Sequence, residues 1–477
     1  MDSFLAMLAL IGAVIVVSAL LSGWVDRTGV PQVAVFLGMG ALIGPIGLAL
    51  LDASAESPVL RVVATVSLVL VLFTDAVSLD LKEVRQHRLL AGLVLGPGTI
   101  LFTAILGAVA HYMLGLSWPL AAILSAAIAS TDPVLLRGVL KRPALHNGVR
   151  QALRLESGLN DVVLLPVVLV SIALLTSSEP FTGTDWGRLA VNILLLSPAA
   201  GVVVGFAGVK ALEFARRRMG VRRDYESIYS LGLAFAAYAA AESVHGSGFI
   251  AAFAAGLTIS ALDVELCDCF LEYGETTAEM ALLFTFVLFG TSIIWSGVSA
   301  ASMTTIAFVI IAIFLRPLAL LPALAPVALS WKNRGLIGWF GPRGLSTLLL
   351  VMLPVFAGIE GSYGLLQVSC LVVMVSVVLH GFSPMILLRG KAEQRGQLPL
   401  QVISSAPAAR NERTTITVDA YLELKQSGAP VVLVDSRTDR TYDIEVANSV
   451  RVHPDRAVAD AIRYELPHAA TLVVFCA

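Results

Sequence analysis

The chain has 477 residues, of which 57% are hydrophobic and 14% are charged, and its mean hydropathy is +0.85. This composition excludes a water-soluble globular protein and indicates a chain that lies in a lipid bilayer. The formal net charge of -2 gives no indication of nucleic-acid binding.

Long apolar stretches recur almost without interruption from Leu5 to Leu388. Because a helix needs about 20 apolar residues to cross the hydrocarbon core, we predict about thirteen transmembrane helices and an all-α polytopic membrane fold. The predicted spans cover residues 4–22, 29–51, 59–76, 89–113, 117–139, 150–176, 188–213, 226–243, 247–262, 279–297, 302–324, 334–357 and 363–388.

Basic residues mark alternate connections between these spans. They occur at 82–88, 141–150 and 216–223, whereas the connections at 111–118 and 292–303 contain neither Lys nor Arg. Since Lys and Arg are retained on the cytoplasmic side, we predict an inner-membrane protein with its N-terminus outside and its C-terminus in the cytoplasm. The first apolar stretch lacks a basic flank and is longer than that of a signal peptide, so we expect it to be a retained span.

Charged residues inside predicted spans identify candidate functional positions, because a charge in the hydrocarbon core costs about 2.5 to 3.5 kcal/mol on insertion scales. These residues are Asp75, Asp132, Glu156, Asp161, Glu242, Arg316 and Arg343.

The fifth predicted span is interrupted by Ser130-Thr131-Asp132-Pro133. Pro133 has no N–H to donate to the Ala129 carbonyl, so a helix break is expected, and freed backbone groups at this depth must be satisfied by protein or by a water-filled cavity. The Ala129 carbonyl and Thr131 are therefore candidate cation ligands. Asp132 is predicted to compensate the positive end of a half-helix or to orient the site. The alternative is a kinked structural helix with Asp132 at the membrane boundary.

The sixth predicted span carries Glu156-Ser157-Gly158-Leu159-Asn160-Asp161. If this helix begins near residue 150, Asp161 lies about 16 Å along it, close to the middle of the bilayer. Ser157 and Asp161 share one face and Glu156 and Asn160 a neighbouring face, because each pair is spaced by four residues. We therefore predict that Asp161 and Ser157 bind an ion from one face, and that Glu156 on the neighbouring face needs an opposite charge. Asn160 is a further candidate for the ion site. The alternative is a buried Asp161 in a purely structural network.

The twelfth predicted span is interrupted by Gly341-Pro342-Arg343-Gly344. Paired interruptions in the two halves of a chain indicate a transporter site between inverted repeats, so we expect the two broken helices to cross there. A buried arginine must be paired, and Glu156 is the predicted partner of Arg343. The alternative places Arg343 at a cytoplasmic helix end.

Taken in order, Ser130-Thr131-Asp132-Pro133, Glu156-Ser157-x-x-Asn160-Asp161 and Gly341-x-Arg343-Gly344 resemble the motifs of the cation/proton antiporter 1 family, the sodium/proton exchangers. The resemblance extends over residues 5–388, with weaker support from 246–257 and from Arg316-Pro317-Leu318. It implies a homodimer in which a mobile six-helix core carries the bound ion past a scaffold domain by an elevator-like displacement.

The resemblance also implies roles for single residues. Asp161 would bind a cation or a proton in turn, Ser157 and Thr131 would help to coordinate the cation, and Glu156 and Arg343 would form a structural ion pair. No cofactor and no enzymatic activity are expected.

Three further positions refine this expectation. Asn160 before the ion-binding Asp resembles the electroneutral, one-for-one exchangers. Asp75 stands where many relatives carry a differently placed Glu that touches the ion, so Asp75, like Arg316, is a further candidate for the site.

Sodium is the expected cation; potassium, lithium or a broad range of monovalent cations is the alternative, because selectivity depends on cavity size.

The composition changes after the last span, where residues 391–411 read as a linker and 412–477 as a small cytoplasmic α/β domain. Strands are predicted at 416–418, 431–435 and 471–475, and a helix at 420–426. Asp435-Ser436-Arg437 followed by Cys476 resembles part of a rhodanese-like domain, whose reactive cysteine follows such a strand. We do not expect sulfur transfer, because the anion-binding loop and helix that activate the thiol would follow Cys476. A membrane-anchored sulfurtransferase is thus the less favoured reading.

Overall fold

A computed structural model describes most of the chain. The described residues are 31–387 except 52, 53, 80, 141, 143, 144, 178, 180, 220–222, 263–267 and 328, together with 12, 16, 17, 20, 421, 425, 427, 431–435, 449–452 and 471–475. Most of the first predicted span, the linker 391–411 and Cys476 lie outside them. The chain divides into two compact units, Met1–Gln397 and Leu398–Ala477.

All regular secondary structure in the described part of the first unit is helical. Its helices are α1 (Gln32–Ile43), α2 (Pro58–Val77), α3 (Leu81–Gln86), α4 (Arg88–Leu93), α5 (Thr99–Leu114), α6 (Trp118–Ala129), α7 (Pro133–Leu140), α8 (Asn147–Thr176), α9 (Gly183–Val191), α10 (Ser197–Arg218), α11 (Arg223–Ser243), α12 (Gly248–Ala261), α13 (Asp268–Thr291), α14 (Ser296–Ser299), α15 (Met303–Ala323), α16 (Trp331–Trp339), α17 (Leu345–Phe356) and α18 (Ser362–Leu387). Short π-helical turns, Val94–Gly98 and Asn192–Leu196, join α4 to α5 and α9 to α10.

Within the described residues, seven helical segments are long and apolar enough to cross a membrane, and one bent pair would make an eighth. Three shorter apolar helices, α1, α12 and α17, add to these. The fold is therefore a helical multi-span membrane fold. The predicted count of about thirteen spans stays a prediction.

Both predicted interruptions are present as breaks in the helices. α6 ends at Ala129 and α7 begins at Pro133, where a residue without an N–H costs no intrahelical hydrogen bond. α16 ends at Trp339 and α17 begins at Leu345. Because four backbone groups are freed at each half-helix end, each break needs hydrogen-bond partners from elsewhere in the fold.

The helices form two groups, one of which surrounds these breaks. α5, α6, α8, α15, α16, α17 and α18 pack around them, whereas α10, α11, α12 and α13 pack with α1 and α2. Small residues allow close contact in the second group: a Cβ on Gly40 would meet the backbone of Gly290, and one on Gly201 would meet that of Ala251. A continuous buried hydrophobic core joins the two groups.

The second unit contains a three-stranded parallel sheet in its described part. The strands β1 (Val431–Asp435), β2 (Ser449–Arg451) and β3 (Thr471–Phe475) lie in the order β2-β1-β3. β1 pairs with β3 from Val431 opposite Thr471 to Asp435 opposite Phe475. The predicted strands at 431–435 and 471–475 are present, and β2 was not predicted from the sequence. The predicted strand at 416–418 lies outside the described residues. The rhodanese-like interpretation stays a prediction because Cys476 is not among the described residues.

Candidate functional site

Asp132 lies at the first break and binds the N-terminal ends of two half-helices. Its Oδ1 accepts hydrogen bonds from the N–H groups of Val134 (2.8 Å) and Leu135 (3.2 Å), and its Oδ2 accepts one from Leu345 (2.6 Å). Its own N–H donates to the Pro342 carbonyl at 2.9 Å, which joins the two breaks. Since each helix N-terminus carries about half a positive charge, one carboxylate compensates both ends.

Arg343 binds the C-terminal end of α6 from the second break. Its Nη1 donates to the carbonyls of Ala129 (2.6 Å) and Ser130 (3.2 Å), and its guanidinium lies 5.2 Å from the centre of the Phe102 ring. The Ala129 carbonyl, predicted as a cation ligand, therefore accepts a hydrogen bond from an arginine in this structure.

The predicted ion pair between Glu156 and Arg343 is wrong, because Glu156 is paired with Arg316. Arg316 Nη2 lies 2.6 Å from both carboxylate oxygens of Glu156, and the two side chains are only 5% and 4% exposed. Arg316 Nη1 also donates to the carbonyls of Ile337 (2.9 Å) and Gly338 (2.6 Å) at the end of α16. Both arginines thus bind half-helix C-termini. The way in which the two broken helices cross decides which arginine reaches Glu156.

The glycines of the second break are required by these contacts. A Cβ on Gly341 would collide with the guanidinium of Arg316, and a Cβ on Gly344 would collide with the carboxylate of Asp132. The Gly-Pro-Arg-Gly segment therefore lets two charged side chains lie directly against its backbone.

Asp161 is buried beside the first break, with 7% of its surface exposed. Its Oδ1 accepts a hydrogen bond from the Ser130 hydroxyl at 2.7 Å. Among the described residues, no basic side chain forms an ion pair with it. The sequence interpretation missed Ser130 as a site residue, although its place next to Thr131 in an interrupted span was an available signal.

The other predicted ligands differ in their hydrogen-bond partners. Asn160 Nδ2 donates to Thr131 Oγ1 at 2.8 Å, so the fold brings these two residues together. The buried Asn160 Oδ1 has no hydrogen-bond partner among the described residues. Ser157 Oγ donates to the Arg154 carbonyl at 3.3 Å and thus bonds within its own helix.

Asp75 lies in the last turn of α2 and is partly buried. α8 approaches this end of α2, since a Cβ on Gly158 would lie 3.2 Å from Leu79 Cδ1. A contribution of Asp75 to ion binding stays a prediction.

The Glu156–Arg316 pair borders a small cavity between α5, α6, α8 and α15. The cavity is lined by Gly98, Thr99, Phe102, Ala129, Glu156, Arg316 and Leu320. The π-helical turn that contains Pro97 contributes Gly98 to this lining, and the Thr99 hydroxyl donates to the Val94 carbonyl at 3.0 Å.

The sequence model of the family described as "Sodium/hydrogen exchanger, transmembrane" matches residues 16–390. The chain belongs to this family. It is 25% identical over 387 residues to the K(+)/H(+) antiporter NhaP of Alkalimonas amylolytica, an alignment that covers 80% of this chain and 66% of that protein. It is 26% identical over 384 residues to the K(+)/H(+) antiporter NhaP2 of Shewanella sp. (strain ANA-3), with 78% of this chain and 65% of that protein covered.

The fold is also similar to that of a solved structure. The sodium proton antiporter MjNhaP1 from Methanocaldococcus jannaschii matches with a TM-score of 0.65 and 19% identity, over 80% of this chain and 100% of that chain. At this identity the match concerns the fold. The relatives and the structural neighbour are named as antiporters rather than as enzymes.

Proposed function

We propose that this protein is a secondary antiporter that exchanges a monovalent cation for a proton, with Asp161 as the carboxylate that binds either ion. The observation that carries the proposal is the buried Asp161 side chain, which accepts from the Ser130 hydroxyl and has no described cationic partner. An isolated buried carboxylate is costly, so it must bind a proton or a cation.

The charges around the breaks support this role for Asp161. Arg316 is neutralised by Glu156, while Asp132 and Arg343 each bind oppositely charged half-helix ends of the crossing. These four charges cancel, and the Asp161 carboxylate next to the first break remains available to an exchangeable ion. A proton and a metal ion then exclude each other on one carboxylate, which makes exchange obligatory.

The proposed cation ligands are oxygen atoms near Asp161. They include the hydroxyls of Ser157 and Thr131 and the buried Oδ1 of Asn160, which has no described partner. Because the cation-loaded and protonated forms carry equal charge, we propose one-for-one electroneutral exchange. The remaining parts of the proposal are the homodimer, the movement of a core past a scaffold, and the inner-membrane orientation with an external N-terminus.

Sodium is the proposed cation, in keeping with the family's description. Potassium is the second candidate, because the Alkalimonas and Shewanella relatives are named K(+)/H(+) antiporters. The same oxygen ligands suit both ions, and the size and number of coordinating groups decide between them.

Exchange by purified protein in vesicles that contain a pH-sensitive dye tests the proposal. Wild-type protein should move protons when sodium, potassium or lithium is added, and the cation that acts at the lowest concentration is the preferred one. Asp161→Asn should abolish this movement with every cation, whereas Asp185→Asn, on the exposed start of α9, should leave it unchanged. Exchange retained by Asp161→Asn would refute the role of this carboxylate. A rate that changes with an imposed membrane potential would refute electroneutrality.

A further inference from the structure

A buried serine and histidine on α18 lie behind the second break. Ser376 Oγ accepts a hydrogen bond from the Arg343 N–H at 2.7 Å and lies 3.0 Å from His380 Nδ1. Ser376 is 0% exposed and His380 is 7% exposed. Neither residue takes part in the exchange proposed above.

His380 contacts both the side chain and the backbone of Ser376, because its Nδ1 also lies 3.1 Å from the Ser376 carbonyl. In one neutral tautomer Nδ1 accepts from the Ser376 hydroxyl, and in the other it donates to the Ser376 oxygens. Either hydrogen bond holds the hydroxyl that accepts from the Arg343 N–H. The Trp339 carbonyl faces the imidazole, and the Trp339 and His380 rings lie 5.4 Å apart. One side chain therefore contacts both ends of the break, Trp339 directly and Arg343 through Ser376.

We propose that Ser376 and His380 are positioning residues for the ion site, an inference that rests on the proposed function because exchange is one of its readouts. Neutral His380 orients the Ser376 hydroxyl, and this hydroxyl fixes the backbone at Arg343. The guanidinium of Arg343 is thereby kept on the Ala129 and Ser130 carbonyls, which lie next to the hydroxyl that binds Asp161.

The charges near the imidazole favour the neutral arrangement. Arg343 from the second break and Arg316 from α15 are the described charged groups that act on His380, and Glu156 is already bound to Arg316. A second proton on the imidazole would add a third positive charge beside the two arginines. The neutral imidazole therefore serves as a fixed hydrogen-bond partner of Ser376 during exchange.

Substitutions that separate the hydrogen-bonding group from the side-chain volume test the proposal in full-length protein in vesicles. His380→Asn keeps a donor and an acceptor near the Nδ1 position, whereas His380→Leu removes both. His380→Leu and Ser376→Ala should each lower the maximal exchange rate about tenfold, the effect of one lost buried hydrogen bond, and the double variant should lose little more. His380→Asn should stay within about twofold of wild type with an unchanged pH profile between pH 6 and 9. Ser369→Ala is the matched control, because this buried hydroxyl on the same helix has no described partner.

A second readout does not depend on transport. Amide hydrogen exchange of peptides that cover residues 340–346 should be faster in His380→Leu and Ser376→Ala and unchanged in His380→Asn and Ser369→Ala. A wild-type cation exchange rate together with wild-type amide protection in His380→Leu would overturn the proposal. If that variant is not recovered folded, wild-type amide protection in Ser376→Ala would overturn it. A wild-type protein that exchanges no cation for protons would refute the proposed function alone, since the amide exchange would still report on the positioning.

Discussion

The pairing of Glu156 with Arg316 rather than with Arg343 can be tested by a double-mutant cycle. Arg316→Met removes the guanidinium and keeps most of the apolar stem, and Glu156→Gln removes the charge at nearly constant volume. The same Glu156→Gln substitution combined with Arg343→Met provides the matched comparison, because Arg343 is equally buried and lies in the same crossing. The two cycles differ in the arginine that is removed.

The expected magnitudes follow from the contacts. Arg316→Met leaves the Glu156 carboxylate, 4% exposed, without its two 2.6 Å hydrogen bonds, and breaking such a buried pair costs about 3 to 5 kcal/mol. Removing the second partner should cost little more, so the coupling energy between Glu156 and Arg316 should reach about 2 to 3 kcal/mol. No described hydrogen bond joins Glu156 to Arg343, and their coupling should stay below about 1 kcal/mol.

The measurement is the free energy of unfolding of the purified protein in mixed micelles, with SDS as the denaturant and helical circular dichroism as the signal. Circular dichroism reports mainly on the first unit, which contains nearly all of the described helix. A larger coupling of Glu156 with Arg343 than with Arg316 would refute the assignment of the ion pair. Equal and negligible couplings would show that Glu156 is not buried with a cation at all.

Two other substitutions test the crossing and its contact with the second helix group. Gly344→Ala places a methyl group on the Asp132 carboxylate and should abolish cation-dependent proton movement in vesicles. Gly335→Ala is the control, because its methyl group meets open space and should leave this movement unchanged. Exchange retained by Gly344→Ala would argue against the close contact between the two breaks. Arg137 on α7 forms an ion pair with Glu279 on α13, which joins the helix after the first break to the neighbouring group. Because the pair is partly exposed, Glu279→Gln should change the free energy of unfolding by no more than about 1 kcal/mol but should alter the exchange rate. Reversing both charges should restore that rate. An unchanged rate in Glu279→Gln would exclude a role for the pair in the proposed movement of the core past the scaffold.

Much of the site could be predicted from local sequence. Pro133 cannot continue a helix without losing a hydrogen bond, so the first break was predictable, and the four-residue spacing of Ser157 and Asp161 gave their common face. The burial of Asp161 followed from its position within a long apolar helix. Strands β1 and β3 followed from their β-branched runs, whereas the three-residue β2 is too short to give a periodic signal.

The partners of the charged groups could not be predicted in the same way. Arg316 and Arg343 are both buried arginines next to interrupted helices, and nothing in their neighbouring residues distinguishes their partners. Ser376 and His380 read as ordinary members of an apolar span until the fold sets them against the backbone of Arg343. These contacts join residues far apart in the chain, which a periodic pattern does not encode.

The amino-acid sequence by itself determined that the chain is a multi-span membrane protein, that two of its helices break, and that Asp161 lies deep in one helix. These properties depend on hydropathy, on the missing N–H of proline and on spacing along a single helix, all of which are local. Only the tertiary structure decided that one carboxylate, Asp132, binds two half-helix ends, that Arg316 neutralises Glu156, and that Asp161 is left with a hydroxyl. The physical reason is that charge compensation inside a membrane depends on distances of a few ångströms between separate helices, which packing alone sets.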